Sequence, residues 1–220
     1  MQDRGHSRRG VEMPYQHINV PQARALMFQA VPGGNPTNTI GVIDITEVNG
    51  VVTMVGSLTG LPPGPHGFHV HEYGDLGNGC LASGAHFNPY RSDHGGPANP
   101  PSSRHVGDLG NIVTPANGPT PINVRDSLMK FTGNRGIVGR AFVIHANPDD
   151  LGTAGNDGSR TVGNAGARLA CGIIGYIMPR TDGDLENGCL VAGDHYNPFK
   201  RNMVDQKAEV QDDMSWILEA

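Results

Sequence analysis

The sequence is organised around Pro65-His66-Gly67-Phe68-His69-Val70-His71-Glu72-Tyr73-Gly74-Asp75. Within this stretch His69 and His71 alternate with Val70, and alternate residues of a strand point to the same face. A strand here would therefore aim two imidazoles at one position, which is how a sheet binds a borderline transition metal such as copper. A pair of solvated histidines on an edge strand is the alternative, and the rest of the chain favours the metal.

The composition points to a protein made of short strands. The chain has 220 residues, with 32 Gly, 17 Pro and only 5% aromatic residues, which is rich in turns. The net charge of -5 and the lack of a long basic run argue against nucleic-acid binding. No stretch approaches the roughly 18 apolar residues that a membrane span needs. Residues 1–10 are polar and basic, so they do not form a secretory signal as they stand, which favours the cytoplasm.

Apolar runs separated by turn signals predict an all-β fold of eight short strands. An Asn49-Gly50 hairpin joins two of them, and residues 128–131 and 137–144 are among the predicted strands. We predict a flattened, eight-stranded Greek-key barrel, or an immunoglobulin-like sandwich, because closure hides strand edges. Two long loops, residues 73–104 and 146–166, have no regular pattern. The first is rich in histidine, which favours a metal as its organiser.

The histidines suggest two metal sites rather than one. Six of the ten lie at strand ends or in the first long loop: His69, His71, His86, His94, His105 and His145. Asp108 follows His105 by three residues, a usual spacing for two ligands on one turn. Six histidines and one aspartate are too many for one tetrahedral site, but they suffice for two sites that share a ligand.

At this point the chain resembles the copper/zinc superoxide dismutase family over about residues 25–177. The resemblance rests on residues 66–72, Gly84-Ala85-His86-Phe87-Asn88-Pro89, His94-Gly95-Gly96-Pro97, Arg104-His105-Val106-Gly107-Asp108-Leu109-Gly110-Asn111, His145 before Asp149-Asp150-Leu151-Gly152, and Gly163-Asn164-Ala165-Gly166-Ala167-Arg168-Leu169-Ala170-Cys171-Gly172. Motifs this long and in this order make chance similarity very improbable.

The resemblance implies a role for each site residue. Copper would be held by His69, His71, His86 and His145, and zinc by His86, His94, His105 and Asp108, so that His86 bridges the two metals. Asp149 would hydrogen-bond one histidine of each site, with a loop cap as its alternative. His66 would be a satisfied core histidine. Cys80 and Cys171 would form the family's disulfide, with two buried thiols as the alternative.

The resemblance also implies the activity. Superoxide would be converted to dioxygen and hydrogen peroxide by cycling copper, with Arg168 and His86 as the catalytic residues. A homodimer and loading by a copper chaperone would be expected. A non-catalytic copper/zinc-binding or copper-delivery relative is the alternative. Thr161 and Val162 stand where many members have Lys and Thr, and Arg160 is the only cation of the second loop, which predicts slower or less salt-sensitive capture of superoxide.

We divide the chain into a flexible tail (residues 1–22), a superoxide dismutase domain (23–178) and a partial repeat with a tail (179–220). Residues 183–199 repeat residues 74–90 with 11 of 17 positions identical, and Cys189 and His195 copy Cys80 and His86. The repeat is either the remnant of a tandem domain or a source of a competing cysteine, Cys189. The stretch around His86 looks more like secreted members, so an extracellular location stays open if a signal is missing upstream.

Overall fold

Between residues 22 and 177, eight antiparallel strands form one continuous sheet, as predicted. The computed structural model describes residues 22–177, so the N-terminal tail, the partial repeat and Cys189 lie outside the described residues. The strands are β1 (Gln22–Gln29), β2 (Thr39–Val48), β3 (Val51–Leu58), β4 (Gly64–His71), β5 (Asp108–Thr114), β6 (Thr120–Asp126), β7 (Ala141–His145) and β8 (Arg168–Ile177). The predicted division into tail, domain and repeat stays a prediction.

The sheet curls into a nearly closed barrel. Its strand order is β5-β4-β7-β8-β1-β2-β3-β6. The two edge strands, β5 and β6, contact each other, and the Thr114 and Thr120 hydroxyls lie 2.8 Å apart across the gap. The connections from β3 to β4 and from β6 to β7 join strands that are not neighbours in the sheet, as in a Greek key. The all-β Greek-key prediction is thus confirmed.

Local sequence explains the tightest turn. Asn49 and Gly50 both have positive φ, at 49° and 74°, between β2 and β3. Two positive φ values in a two-residue loop are the type I′ geometry that Asn-Gly favours, because it matches the twist of the strands.

Alternating side chains fill the barrel. In β1, Ala23, Ala25 and Met27 are fully buried while the residues between them face outward. Phe68 of β4 and Phe142 of β7 meet at the centre with ring centroids 5.1 Å apart. These inward faces hold β4 and β7 side by side, and the histidines of both strands share the opposite face of the pair.

One predicted strand is wrong, and another begins later than predicted. Residues 128–131 make only an isolated bridge at Lys130, because Asp126 Oδ1 accepts the N–H groups of Leu128 and Met129 and turns the chain. Their apolar side chains are buried all the same, so the pattern indicated burial and not pairing. The strand predicted over 137–144 begins only at Ala141, since residues 137–140 form a turn.

The second long loop is also less irregular than predicted. It contains a short helix, α1 (Asp157–Val162), which begins at the N-cap Asn156 and ends at Gly163 with φ 62°. In the part of the chain that the structure describes, no helix is long and apolar enough to cross a membrane.

Candidate metal centre

Strands β4 and β7 bring three of the predicted ligands together. His69 and His71 lie on β4, and His145 ends β7, which is the neighbour of β4 in the sheet. His86 comes from the first long loop, and it pairs with His71 of β4 through an isolated β-bridge. The ligand atoms of all four side chains lie within 4.8 Å of one another, and each residue is at most 4% exposed. We call this the His69 group.

The outer nitrogen of three of these rings is tied to the protein. Nε2 of His69 lies 2.9 Å from Asp149 Oδ2, and Nδ1 of His71 donates to the Gly84 carbonyl at 2.9 Å. Nδ1 of His145 donates to the Gly166 carbonyl at 3.0 Å. These bonds fix each tautomer and turn the other nitrogen of each ring toward the middle of the group, where Nε2 of His71 and Nε2 of His145 lie 3.3 Å apart and could bind one cation together.

A second group surrounds a single carboxylate oxygen. Oδ1 of Asp108 lies 2.9 Å from Nδ1 of His86, 3.0 Å from Nδ1 of His94 and 3.0 Å from Nδ1 of His105. Its Oδ2 accepts the backbone N–H groups of His105 and Gly95, which holds the carboxylate in place. Zinc–nitrogen bonds of about 2.0–2.1 Å imply ligand–ligand separations of about 3.3 Å in a tetrahedron. Three nitrogens at nearly that spacing from one carboxylate oxygen suit zinc, and we call this the Asp108 group.

Three buried ring nitrogens test whether metals fit these two groups. His69 Nδ1, His86 Nε2 and His94 Nδ1 make no hydrogen bond to any described residue. A buried polar atom without a partner costs about 1–3 kcal/mol, so three of them in one place need an explanation. Two belong to the His69 group and one to the Asp108 group, where a metal would satisfy each of them. The donor sets therefore fit copper and zinc.

His86 belongs to both groups. Its Nδ1 faces Asp108, and its Nε2 is the unsatisfied nitrogen of the His69 group. Its ring centroid lies 4.0 Å from that of His69 and 5.5 Å from that of His105. The geometry is therefore that of an imidazole presented to two cations at once.

Asp149 joins the two groups from outside. Its Oδ1 lies 2.7 Å from Nε2 of His94, and its Oδ2 lies 2.9 Å from Nε2 of His69. Gly163 allows this approach, because a Cβ there would lie 2.0 Å from Asp149 Oδ1 and 2.5 Å from His94 Nε2. His69, His94 and Asp149 also lie close enough to hold a cation, but their hydrogen bonds already use the facing atoms.

Burial and charge separate the histidine pKa values. Burial, together with the nearby His86, lowers the pKa of His69 and of His71 well below 6.5, and burial lowers that of His145 to about 4. Burial also disfavours charged His94, but the carboxylates of Asp108 and Asp149 outweigh it and raise its pKa to about 9. The His69 group is therefore neutral at pH 7, which is the state that binds metals.

Both carboxylates are ionised at neutral pH. Burial would raise the pKa of Asp108, but the rings of His105, His86 and His94, which lie 2.9–3.0 Å from its Oδ1, lower it well below 3.8. The pKa of Asp149 is likewise lowered against its burial by His69 and His94. A buried pair of negative charges suits divalent cations.

The predicted disulfide is confirmed, and it lies beside Arg168. Cys80 and Cys171 are joined with Sγ atoms 2.04 Å apart. Arg168 donates to the Cys80 carbonyl, to Ser83 Oγ at 3.0 Å and to the Gly84 carbonyl. Because Gly84 O also accepts from His71 Nδ1, one carbonyl connects the arginine to the His69 group. Burial lowers the pKa of Arg168 from its usual value, and the guanidinium stays charged at neutral pH.

Other predicted residues lie close by in different roles. His66 is buried, with Nδ1 2.8 Å from the His145 carbonyl and Nε2 2.7 Å from the Pro62 carbonyl, so it packs the core beside the site. Arg160 on α1 is ion-paired with Asp157, and its carbonyl accepts from the His94 N–H at 2.7 Å.

Sequence reasoning missed two supporting residues. Asn111 accepts from the Asp149 N–H at 2.7 Å and donates to the Asp149 carbonyl at 2.8 Å. Arg104 is buried against Asp126 at 2.8 Å and donates to the His105 carbonyl at 3.1 Å. Arg104 could have been found from the sequence, because it is an arginine directly before a predicted ligand in a chain with few charges. Nothing outside the resemblance pointed to Asn111.

Comparison with known proteins agrees with this geometry. Residues 39–174 match the family model described as copper/zinc superoxide dismutase (SODC). An extracellular copper–zinc superoxide dismutase of Haemonchus contortus is 58% identical over 158 residues, which is 72% of this chain and 85% of the relative. One of Caenorhabditis elegans, also extracellular by name, is 51% identical over 161 residues, covering 73% of this chain and 72% of the relative.

More distant relatives follow the same pattern. Copper–zinc superoxide dismutase 2 of Mesembryanthemum crystallinum is 50% identical over 147 residues, covering 66% of this chain and 92% of the relative. Among solved structures, the crystal structure of the clock protein EA4 is similar with a TM-score of 0.63 and 43% identity. It covers 75% of this chain and 100% of that protein.

Proposed function

The chain belongs to the copper/zinc superoxide dismutase family, and from this premise we propose that the His69 group binds copper and the Asp108 group binds zinc. Copper would be held by Nδ1 of His69 and by Nε2 of His71, His86 and His145. Zinc would be held by three Nδ1 atoms and Asp108 Oδ1. The three unsatisfied buried nitrogens carry this assignment, because each belongs to one of these donor sets.

The protein is a superoxide dismutase that turns two superoxide anions and two protons into dioxygen and hydrogen peroxide. When bound, copper supplies the electron transfer by alternating between two oxidation states, and zinc is structural. A binding protein without turnover is the weaker reading, because the chain keeps all four histidines of the His69 group and Arg168.

Arg168 and His86 are the residues that we propose act on the substrate. The protein is net negative, so the attraction of a small anion has to be local. Three hydrogen bonds hold the Arg168 guanidinium near the His69 group, where it would bind superoxide. Nε2 of His86 lies in the same group and would hold one of the two protons until it passes to the product. Asp149 would keep His69 and His94 oriented throughout.

A paired substitution tests the ligand assignment. His86→Gln should remove the bridge, so that metal analysis finds less copper and less zinc per chain and the metal-dependent decay of superoxide is lost. His195→Gln is the matched control, because His195 is the repeat's copy of His86 in nearly the same sequence. The assignment fails if His86→Gln keeps both metals and full activity, or if His195→Gln loses them.

We also propose a homodimer that forms through the outer face of β1 and β8. A shallow groove of about 530 Å³ lies there, lined by Phe28, Leu76 and Ile173 among others. Ile173 is 43% exposed, and apolar groups at such a groove favour a partner with the same surface. Sedimentation should show dimers. Ile173→Lys should dissociate them, whereas Val113→Lys, at an exposed position of β5, should not. A monomeric parent protein would contradict the proposal.

Loading and location complete the proposal. The His69 group is buried, so we expect copper to enter by transfer from a copper chaperone rather than from free ions. Loading from a copper-carrying protein should be faster than loading from an equal concentration of a copper chelate.

The extracellular names of two relatives, and a disulfide that persists in oxidising surroundings, support an extracellular location. Fractionation of expressing cells tests it, with protein confined to the cytosol as the contrary result.

A further inference from the structure

Arg140 makes an unusual set of contacts directly before β7. Its Nη1 donates to the Glu72 carbonyl at 2.5 Å, and its Nε donates to the Gly136 carbonyl at 2.8 Å. The guanidinium carbon lies 3.6 Å from the centroid of the Phe87 ring. The edge of the guanidinium plane thus binds the carbonyl of Glu72, and its face stacks on the ring of Phe87.

Each contacted segment carries a histidine of the His69 group. Glu72 directly follows His71, and Phe87 directly follows His86. The two segments are already paired, because the Glu72 N–H donates to the Ala85 carbonyl at 2.9 Å and the Phe87 N–H donates to the Val70 carbonyl at 2.8 Å. Arg140 adds a side-chain contact to each segment of this pair.

The strand that follows Arg140 carries the third histidine. Strand β7 begins at Ala141 and ends at His145, and the Arg140 carbonyl accepts the Ile174 N–H at 2.8 Å, which fixes it on β8. Arg140 is therefore anchored through its own backbone to the sheet. A shift of either contacted segment would change its distance from β7.

Only arginine can make this set of contacts. Its guanidinium is planar, donates in its plane and stacks above and below it, while the lysine ammonium is a point charge without a face. The ring beneath it is anchored too, since Phe87 is 4% exposed and packs in the main core. Burial lowers the pKa of Arg140, and nearby Glu72 opposes this, so the group remains a cation at neutral pH.

We propose that Arg140 is a positioning residue for the copper-side histidines: it fixes the segments that follow His71 and His86 relative to β7, and thereby sets the spacing of their rings. The rings of His71 and His86 have centroids 5.0 Å apart, and that separation would widen without the clamp. The inference rests on the proposed binding of copper by this group.

The test substitutes Arg140→Lys in the full chain loaded with copper and zinc. We expect a changed copper hyperfine splitting in the electron paramagnetic resonance spectrum and about tenfold weaker copper binding in competition with a chelator. Arg125→Lys is the matched control, because Arg125 lies exposed on β6, and it should leave both readouts unchanged. A purely structural role would lower the melting temperature without changing the spectrum, and that result would overturn the proposal.

A second variant covers the case in which Arg140→Lys does not fold. Phe87→Leu keeps an apolar side chain but removes the ring, and it should shift the hyperfine splitting in the same direction. An unchanged spectrum in Phe87→Leu would overturn the proposal. If the parent protein binds no copper at the His69 group, the proposed function fails first; if the parent spectrum is normal and neither variant changes it, only the role of Arg140 fails.

Discussion

Removing the disulfide between Cys80 and Cys171 should cost several kcal/mol of stability, mainly through the unfolded chain. The bridge closes a loop with a sequence separation of 91 residues. The chain-entropy relation for a loop of that length gives about 15.5 cal/mol/K, or about 4.6 kcal/mol at 25 °C. Domains have about 5–15 kcal/mol in total, so the metal-free protein would lose a large share of its stability.

The experiment compares two variants that differ only in the bridge. Both carry Cys189→Ser, so that no third thiol can exchange, and one also carries Cys80→Ala and Cys171→Ala. Urea unfolding of the metal-free proteins, followed by circular dichroism, gives the free energy of unfolding and its dependence on urea. We expect a loss of about 4–5 kcal/mol, with an equal or larger m-value because the open chain exposes more surface when unfolded.

Two outcomes would refute this reasoning. A loss below about 1 kcal/mol, with the bridge shown intact in the parent by mass spectrometry, would mean that the unfolded chain is not constrained by it. A large loss of activity without a loss of stability would point instead to Arg168, whose guanidinium donates to the Cys80 carbonyl.

Three further predictions follow from the site. Asp149→Asn keeps the shape of the side chain, but its single oxygen can accept from only one of His69 and His94. Zinc binds such sites less tightly than copper, so we expect a chelator titration to show zinc affinity about 10- to 100-fold below that of the parent protein. Unchanged zinc affinity would contradict the prediction. The pKa of His145 is about 4 in the folded protein and about 6.5 in the unfolded chain, so the unfolded chain takes up the proton first as the pH falls. This one group should therefore lower the free energy of unfolding of the metal-free protein by about 3 kcal/mol between pH 6.5 and 4. Urea unfolding of His145→Asn should lack this contribution. Because Arg160 is already ion-paired, kcat/KM for superoxide should fall by less than about threefold between about 10 mM and about 150 mM salt, and a steep fall would be the contrary result.

Short-range patterns predicted much of the fold. The Asn49-Gly50 turn and the strand between Val51 and Leu58 follow from turn chemistry and from apolar alternation. The segment of residues 128–131 was mispredicted because a buried segment has the same apolar pattern whether its backbone pairs with a strand or its side chains only pack in the core. What settles the difference is the Asp126 carboxylate, which captures two N–H groups that a strand would have used.

The site was predictable as residue types but not as atoms. The spacing of His69 and His71 placed both rings on one face, and β4 bears this out. Which ring nitrogen points inward depends on carbonyls such as that of Gly84, and a backbone carbonyl has no sequence signature. Arg140 was missed for the same reason, because its partners are a backbone carbonyl and a ring brought together only by the folded sheet.

The carboxylate that touches one histidine of each group has a thermodynamic consequence. Asp149 contacts His69 with one oxygen and His94 with the other, so an ion that orients either ring also fixes the carboxylate for the second. Occupancy of the two positions is then linked, and linkage is reciprocal: whatever factor zinc adds to the affinity for copper, copper must add to the affinity for zinc. A population of partly loaded molecules would therefore be depleted in favour of empty and doubly filled ones.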